Sequence, residues 1–281
     1  MAISRVNSAF NTDQSGTTHT AFTTTGTFSS TTGNLLVTVV KQGTNNTPPS
    51  SVKNAAGTSF THIVGADASW GATNLLSIWY LPNITGNVSD TVTANWAAGK
   101  ANVAVLAAEY SGIIAVSPLD TAVGVGTAAQ FGISSPTFST VYTLELIIVG
   151  VAGSAANNTF NASTTLFGAS SGNVFLADAI PGSQSCVMAD NFNLGVYSSG
   201  LQTNITVSMQ WLVSQADSAI SVATFKANLV GSPSSDIVTK ARAESFASSG
   251  TIVRTRIIDS IPAPTGAQTS GVGQIFPTGR S

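Results

Sequence analysis

The sequence predicts an all-β fold, a jelly-roll-like antiparallel β-sandwich of two pseudo-repeated halves with an extended C-terminal arm. Three observations carry this prediction. Apolar runs are short, rich in Val, Ile, Leu and Thr, and separated by Gly, Asn, Ser and Pro clusters, the pattern of successive strands and turns. No stretch has the 3.6-residue periodicity of a long amphipathic helix. Some segments recur at a nearly constant offset along the chain.

The clearest strands are Leu35 to Val40, Leu75 to Leu81, Thr91 to Trp96, Val103 to Tyr110, Leu144 to Val151, Ile205 to Leu212 and Ala219 to Phe225. Weaker ones are Ala21 to Phe28, Ser59 to Val64, Thr164 to Phe167, Val174 to Ala177 and Val187 to Asp190. Thr27-Phe28-Ser29-Ser30 before the Leu35 strand echoes Thr137-Phe138-Ser139-Thr140 before the Leu144 strand. Thr91 to Trp96 likewise echoes Ile205 to Trp211. Two stacked small sandwiches or one sandwich of two related halves would both give these echoes. The single sandwich is favoured, because Gly124 to Ser135 is too short and too apolar for a flexible linker. Residues 1–231 form this domain and residues 232–281 a separate arm.

The arm differs in charge. It holds five basic residues (Lys240, Arg242, Arg254, Arg256, Arg280) and three acidic ones (Asp236, Glu244, Asp259), net +2, which leaves −4 for the remainder of a chain of net −2. Ser235 or Asp236 can cap a short helix through Phe246, and Thr251 to Asp259 reads as a strand. Beyond Pro262 and Pro264 an extended end has Val272, Ile275 and Phe276 as its anchors. Too little surface can be buried within the arm to order it alone. It could order by adding a strand to a neighbouring subunit's sheet edge, with Ile252, Val253, Arg254, Arg256, Ile257, Ile258, Ile275 and Phe276 as the assembly residues.

Composition narrows function. Only 8% of the 281 residues are charged and 43% are hydrophobic, against roughly 25% charged in an average soluble domain. Ser, Thr, Asn and Gly therefore do most of the solvating, and the surface is neutral. Nucleic-acid binding needs clustered Lys and Arg, and disorder needs low hydrophobicity, so neither is expected. No run approaches the roughly 18 apolar residues of a membrane span. The Met1 to Asn7 segment lacks the apolar stretch of a signal peptide, so synthesis in a host cytoplasm is expected. The single thiol, Cys186, reads as a small buried hydrophobe.

Five segments follow one another in a distinctive order: Gly33-Asn34-Leu35-Leu36-Val37, Ser51 to Phe60 with its Asn54-Ala55-Ala56-Gly57 turn, Asn83-Ile84-Thr85-Gly86, Glu109-Tyr110-Ser111-Gly112, and Ser117-Pro118-Leu119-Asp120. Taken together they resemble β-sandwich modules of tailed-phage virion proteins and bacterial surface proteins, loosely over residues 20 to 228. The resemblance implies a non-catalytic display or packing module and supplies no catalytic residues. The turn's expected aspartate is Asn54 here, and the second half lacks a clear Glu-Tyr-Ser-Gly equivalent. Physically, Tyr110 can seat its ring in the core while its hydroxyl reaches a loop carbonyl, and Glu109 needs water or a hydrogen-bonding partner.

Catalytic chemistry finds little footing. His19 and His62 lack metal-ligand spacing, so no metal or cofactor is expected. Gly168-Ala169-Ser170-Ser171-Gly172 matches the nucleophile-elbow string, but a strand rather than a helix follows it, so a β-turn is the reading. Glu145 reads as the outward residue of a strand. Of four tryptophans, Trp79, Trp96 and Trp211 read as core. Trp70 sits in an expected loop and is the candidate for stacking on a ligand. Sequons such as Asn83-Ile84-Thr85 occur by chance in an Asn/Thr-rich chain. The expectation is a non-enzymatic virion protein, a capsid decoration or head- or tail-attached component, that forms homo-oligomers and contacts other virion proteins. The alternative is a carbohydrate-binding adhesion module that holds surface glycans through Trp70.

Overall fold

The run Leu35-Leu36-Val37-Thr38-Val39-Val40 has no polar alternation, and a strand of that kind needs cover on both faces. The structure, a computed structural model, supplies it. It describes residues 2–141, 144–154, 166–167, 170–171, 173–178, 186–191 and 204–228, all within one compact unit that ends at residue 234. In chain order its strands are β1 (Ser4–Asp13), β2 (His19–Thr23), β3 (Phe28–Ser30), β4 (Leu35–Gln42), β5 (Ser51–Asn54) and β6 (Thr61–His62). A short 3-10 turn (Val64–Ala66) precedes β7 (Ala68–Trp70), β8 (Asn74–Leu81), β9 (Asn87–Asp90), β10 (Val92–Lys100) and β11 (Val103–Ser111). The second half comprises β12 (Leu119–Ser134), β13 (Glu145–Gly153), β14 (Leu166–Phe167), β15 (Ser170–Ser171), β16 (Asn173–Asp178), β17 (Cys186–Asn191) and β18 (Val207–Lys226).

The architecture is an antiparallel β-sandwich. One large sheet has the order β1-β11-β4-β8-β6, with β7 also on β8. The other has the order β15-β14-β18-β13-β17-β16, with β12 also on β18. They meet through one apolar cluster in which Val37, Val39, Leu76, Leu106 and Tyr110 face Leu146, Ile148, Met188, Ala223 and Phe225. The outer face of the first sheet is covered by β2-β10-β5 and β3-β9, where Leu36, Val40 and Trp79 meet Phe22, Val52, Val92 and Trp96. The outer face of the second, with Ile147, Val149 and Val222, is covered by Ile133, Phe138, Ile205 and Met209. Every residue of β4 and of β13 is consequently buried.

Strand order runs in parallel in the two halves: β1-β11-β4-β8 in one, β12-β18-β13-β17 in the other. The expected pair Ile205 to Leu212 and Ala219 to Phe225 is one 20-residue strand, β18, which runs from the outer layer into the large sheet without a turn. The expected Ala21 to Phe28 strand is two, β2 and β3. Gly124 to Ser134, in the segment read as too short and too apolar for a flexible linker, belongs to the 16-residue β12. Its small residues have a steric purpose: a Cβ on Gly126 would lie 1.7 Å from the Ser69 carbonyl oxygen, and one on Gly124 would lie 2.6 Å from those of Ala66 and Asp67. Gly150 of β13 similarly admits Val39 of the facing sheet, whose Cγ1 would be 2.7 Å from an added Cβ.

Glu145 is not the outward residue of a strand. It is 1% exposed, because β13 is an interior strand with cover on both faces. Cys186 is buried, as its residue type suggests. The contact of β12 with the β7 segment gives a direct test. Gly126→Ala should cost about 3 kcal/mol or more in a urea melt, since the obstructing atom is backbone, whereas Gly124→Ala, with longer contacts, should cost less.

Candidate functional site

The residue singled out for ligand stacking is not available for it. Trp70 is the last residue of β7, paired with Asn74 of β8, and is 2% exposed. Positive φ at Gly71 (55°) makes Trp70 the end of a hairpin strand rather than part of a loop. Ala68 and Trp70 then face the core between the large sheets while Ser69 faces out. The indole N–H has no acceptor among the described residues. Trp79 and Trp96 are also core, and the Trp96 indole donates to Gln42. The side chain of Trp211 lies outside the described set, as do the assembly residues Ile252, Val253, Arg254, Arg256, Ile257, Ile258, Ile275 and Phe276 and the helix expected through Phe246.

The segments around Asn34, Ile84 and Glu109 meet in space. Glu109, fully buried on β11, accepts hydrogen bonds from the Asn34 side chain (2.6 Å), the Thr31 backbone N–H (2.8 Å) and the Asn7 side chain (3.2 Å). Asn34 and Gly33 in turn exchange backbone bonds with Ile84, at 3.0 and 2.9 Å. Nearby, Asp90 is fully buried and accepts from the Ser30 hydroxyl and the backbone N–H groups of Ala55 and Thr91. The Asn54 side chain closes its turn by accepting from the Thr58 N–H, with Gly57 at φ 79°. The fourth and fifth segments meet the end of β18, since Gly112 accepts from the Asn228 N–H and Pro118 from the Lys226 N–H. Three donors on one carboxylate fix the loop to the strand that carries it.

A second polar cluster crosses between the large sheets. Tyr110 does not reach a loop carbonyl. Its hydroxyl donates to the Asp190 carboxylate of β17 at 3.0 Å, and the same oxygen pairs with Arg5 of β1 at 3.0 Å. Asp190 is fully buried, and its other oxygen has no partner among the described residues. Burial raises the Asp190 pKa above 3.8, opposed by Arg5 and the hydroxyl bond, and burial followed by the neighbouring carboxylate raises Tyr110 well above its ordinary value. Sequence reading gave Asp190 only as the end of a weak strand. No local signal marks it, because its partners lie 80 and 185 positions away.

The histidines each pair with a nearby aspartate. His62 bonds Asp67 (2.8 Å) and stacks on Trp79, with ring centroids 4.3 Å apart. His19 bonds Asp13 (2.6 Å), and the Ser15 hydrogen bonds together with His19 lower Asp13 to about 2. Among the described residues no three His, Cys, Asp or Glu side chains converge as a metal site, and no helix is long and apolar enough to cross a membrane. Ser170 lies in β15, paired with Phe167 of β14, so strands flank the Gly-x-Ser-x-Gly string. No family model matches the sequence, and no match is found among curated proteins or solved structures.

Glu109→Gln should destabilise by about 2–3 kcal/mol, because an amide N–H would oppose donors that now share a carboxylate. Chemical denaturation checks this. The two shifted aspartates give opposite pH windows. Asp13, with its lowered pKa, stabilises above pH 3.8 and loses that contribution as pH falls towards about 2. Asp190, with its raised pKa, contributes fully below 3.8 and loses it as pH rises through its folded value. Urea melts should show the wild-type advantage over Asp13→Asn shrinking below pH 3.8, and that over Asp190→Asn growing from neutral pH down to 3.8.

Proposed function

We propose that the protein is a non-enzymatic structural component of a tailed-phage virion, a capsid decoration or other head- or tail-attached part. It is made in the host cytoplasm and assembles with copies of itself and with other virion proteins. The observation that carries this reading is the convergence of the resembling segments. In support, Asn34, Ile84 and Glu109 are hydrogen-bonded neighbours, and the Asn54 turn reaches them through Ala55, Asp90 and Ser30. Their polar atoms hold loops, as a packing or display module requires. The parallel strand orders support two related halves, and a low-charge surface is cheap to desolvate against neighbours.

Assembly would use that surface and the C-terminal arm, with Ile252, Val253, Arg254, Arg256, Ile257, Ile258, Ile275 and Phe276 as the residues offered to a neighbouring subunit. Mass spectrometry of purified particles from a culture that carries the gene should find the chain as a stoichiometric component. Analytical ultracentrifugation of the full chain should show a defined oligomer that Ile252→Asp/Ile257→Asp dissociates without lowering the melting temperature. Absence from particles, together with a monomer at high concentration, would refute the reading.

A further inference from the structure

A shallow groove of about 470 Å³ runs along the outer edge of the first large sheet, lined by Ser8 to Thr12 of β1 with Thr25 and Thr27. Its size falls within the range of small-molecule sites, roughly 300–1,000 Å³. Ala9 turns towards the core, and the next residue, Phe10, turns out and is 43% exposed. Phe10 is the one aromatic among the exposed large hydrophobic residues of the described set. Around it lie the hydroxyls of Ser8, Thr12, Thr25 and Thr27, none of which bonds to another described group. No charged side chain lines the groove.

The backbone at this place is already engaged. The Phe10 carbonyl accepts from the Thr25 N–H at 3.0 Å, the Thr12 N–H is taken by the Asn11 side chain at 2.9 Å, and that side chain donates to the Thr23 carbonyl at 2.7 Å. A peptide adding as a strand would compete with these bonds. An ionic ligand would find no countercharge, and a wholly apolar one would desolvate four hydroxyls without replacing their bonds to water. A sugar ring satisfies both kinds of group, with a C–H face for the phenyl ring and hydroxyls for the hydroxyls.

We propose that this groove binds a neutral saccharide, stacked on Phe10 and hydrogen-bonded by Ser8, Thr12, Thr25 and Thr27. It is a binding activity additional to assembly and stands independently of the arm. Saturation-transfer NMR on the full chain tests it, with maltose, cellobiose, lactose, mannobiose and chitobiose as probes. Polygalacturonate serves as the anionic control and a peptide of residues 251–259 as the strand-adding control. Saturable millimolar binding of at least one disaccharide is expected. Phe10→Ala should weaken it about tenfold or more, Thr27→Val should weaken it severalfold and Phe10→Tyr should keep it. Melting temperatures should stay within a few degrees, since both positions are solvent-facing. No saturable binding of any of the five, equal binding by Phe10→Ala, or preference for either control would overturn the proposal.

Discussion

The interaction on which the rest depends is the face-to-face packing of two large sheets that are each covered again on their outer faces. It leaves β4 and β13 buried throughout and β11 buried up to its last residue. A strand in that position has no solvent face on which to place a polar residue, so each residue there must be apolar or fully satisfied. Thr38 meets the requirement by donating to the Leu106 carbonyl. Gly150 meets a different one, by giving Val39 room to seat against the opposite sheet. Burial of this extent supplies most of the driving force for folding. It also explains how a chain with so few charges can hold a single arrangement: the strands in the middle fit only where both faces find apolar cover.

Glu109 and Tyr110 show how polar groups function inside such a stack. Adjacent residues of a strand point to opposite faces. Glu109 therefore reaches into the outer layer and holds the Thr31–Asn34 loop, while Tyr110 reaches across the central core to Asp190 on the other large sheet. One dipeptide thus fastens β11 to the layers on either side of it. The β-bulge between Arg5 and Asn7 adds to this, since it re-aims the edge strand where Arg5 turns to meet Asp190. Burying these charges costs desolvation energy, and their return is geometric: wrong register between the sheets would leave a carboxylate with no partner.

The sequence made the interior strands readable and the peripheral ones obscure, for one physical reason. β4, β8, β11 and β13 are mostly apolar on both faces because both faces are covered, so hydropathy alone finds them. β1 is a 10-residue edge strand in which Ser, Asn and Thr are interspersed with Arg5, Val6, Ala9 and Phe10, and β12 carries glycines where the backbone of residues 66–69 comes close. Neither has a strand's usual hydropathy signal. Trp70 was misplaced because the positive φ of Gly71, which makes Ala68 to Trp70 a strand, looks in sequence like one more loop glycine. The Glu109 cluster was half legible. Glu109 and Asn34 stand in two of the segments singled out in the sequence, but that they touch each other, Thr31 and Asn7 is a property of residues 75 to 102 positions apart. Asp190 and the Phe10 groove were not legible at all, since the first is defined by distant partners and the second by hydroxyls that are left without them.

The two proposed roles make different demands on the surface. An open sheet edge is a liability that invites strand addition. On β1 it is restrained by the bulge, by Arg5 and Asp13 near its ends, and by the Thr25 bond to Phe10. Growth of the sheet at that edge is therefore opposed, and an assembly contact made by strand addition belongs on another edge. What remains exposed on β1 is side chain rather than backbone: Val6 towards one end, and around Phe10 one phenyl ring with a set of hydroxyls. Side chains of that kind recognise a small, uncharged, hydroxyl-rich surface without extending a sheet. An edge protected against its own kind and furnished with unspent hydroxyls can meet a saccharide and leave the neutral remainder of the surface for the packing proposed above.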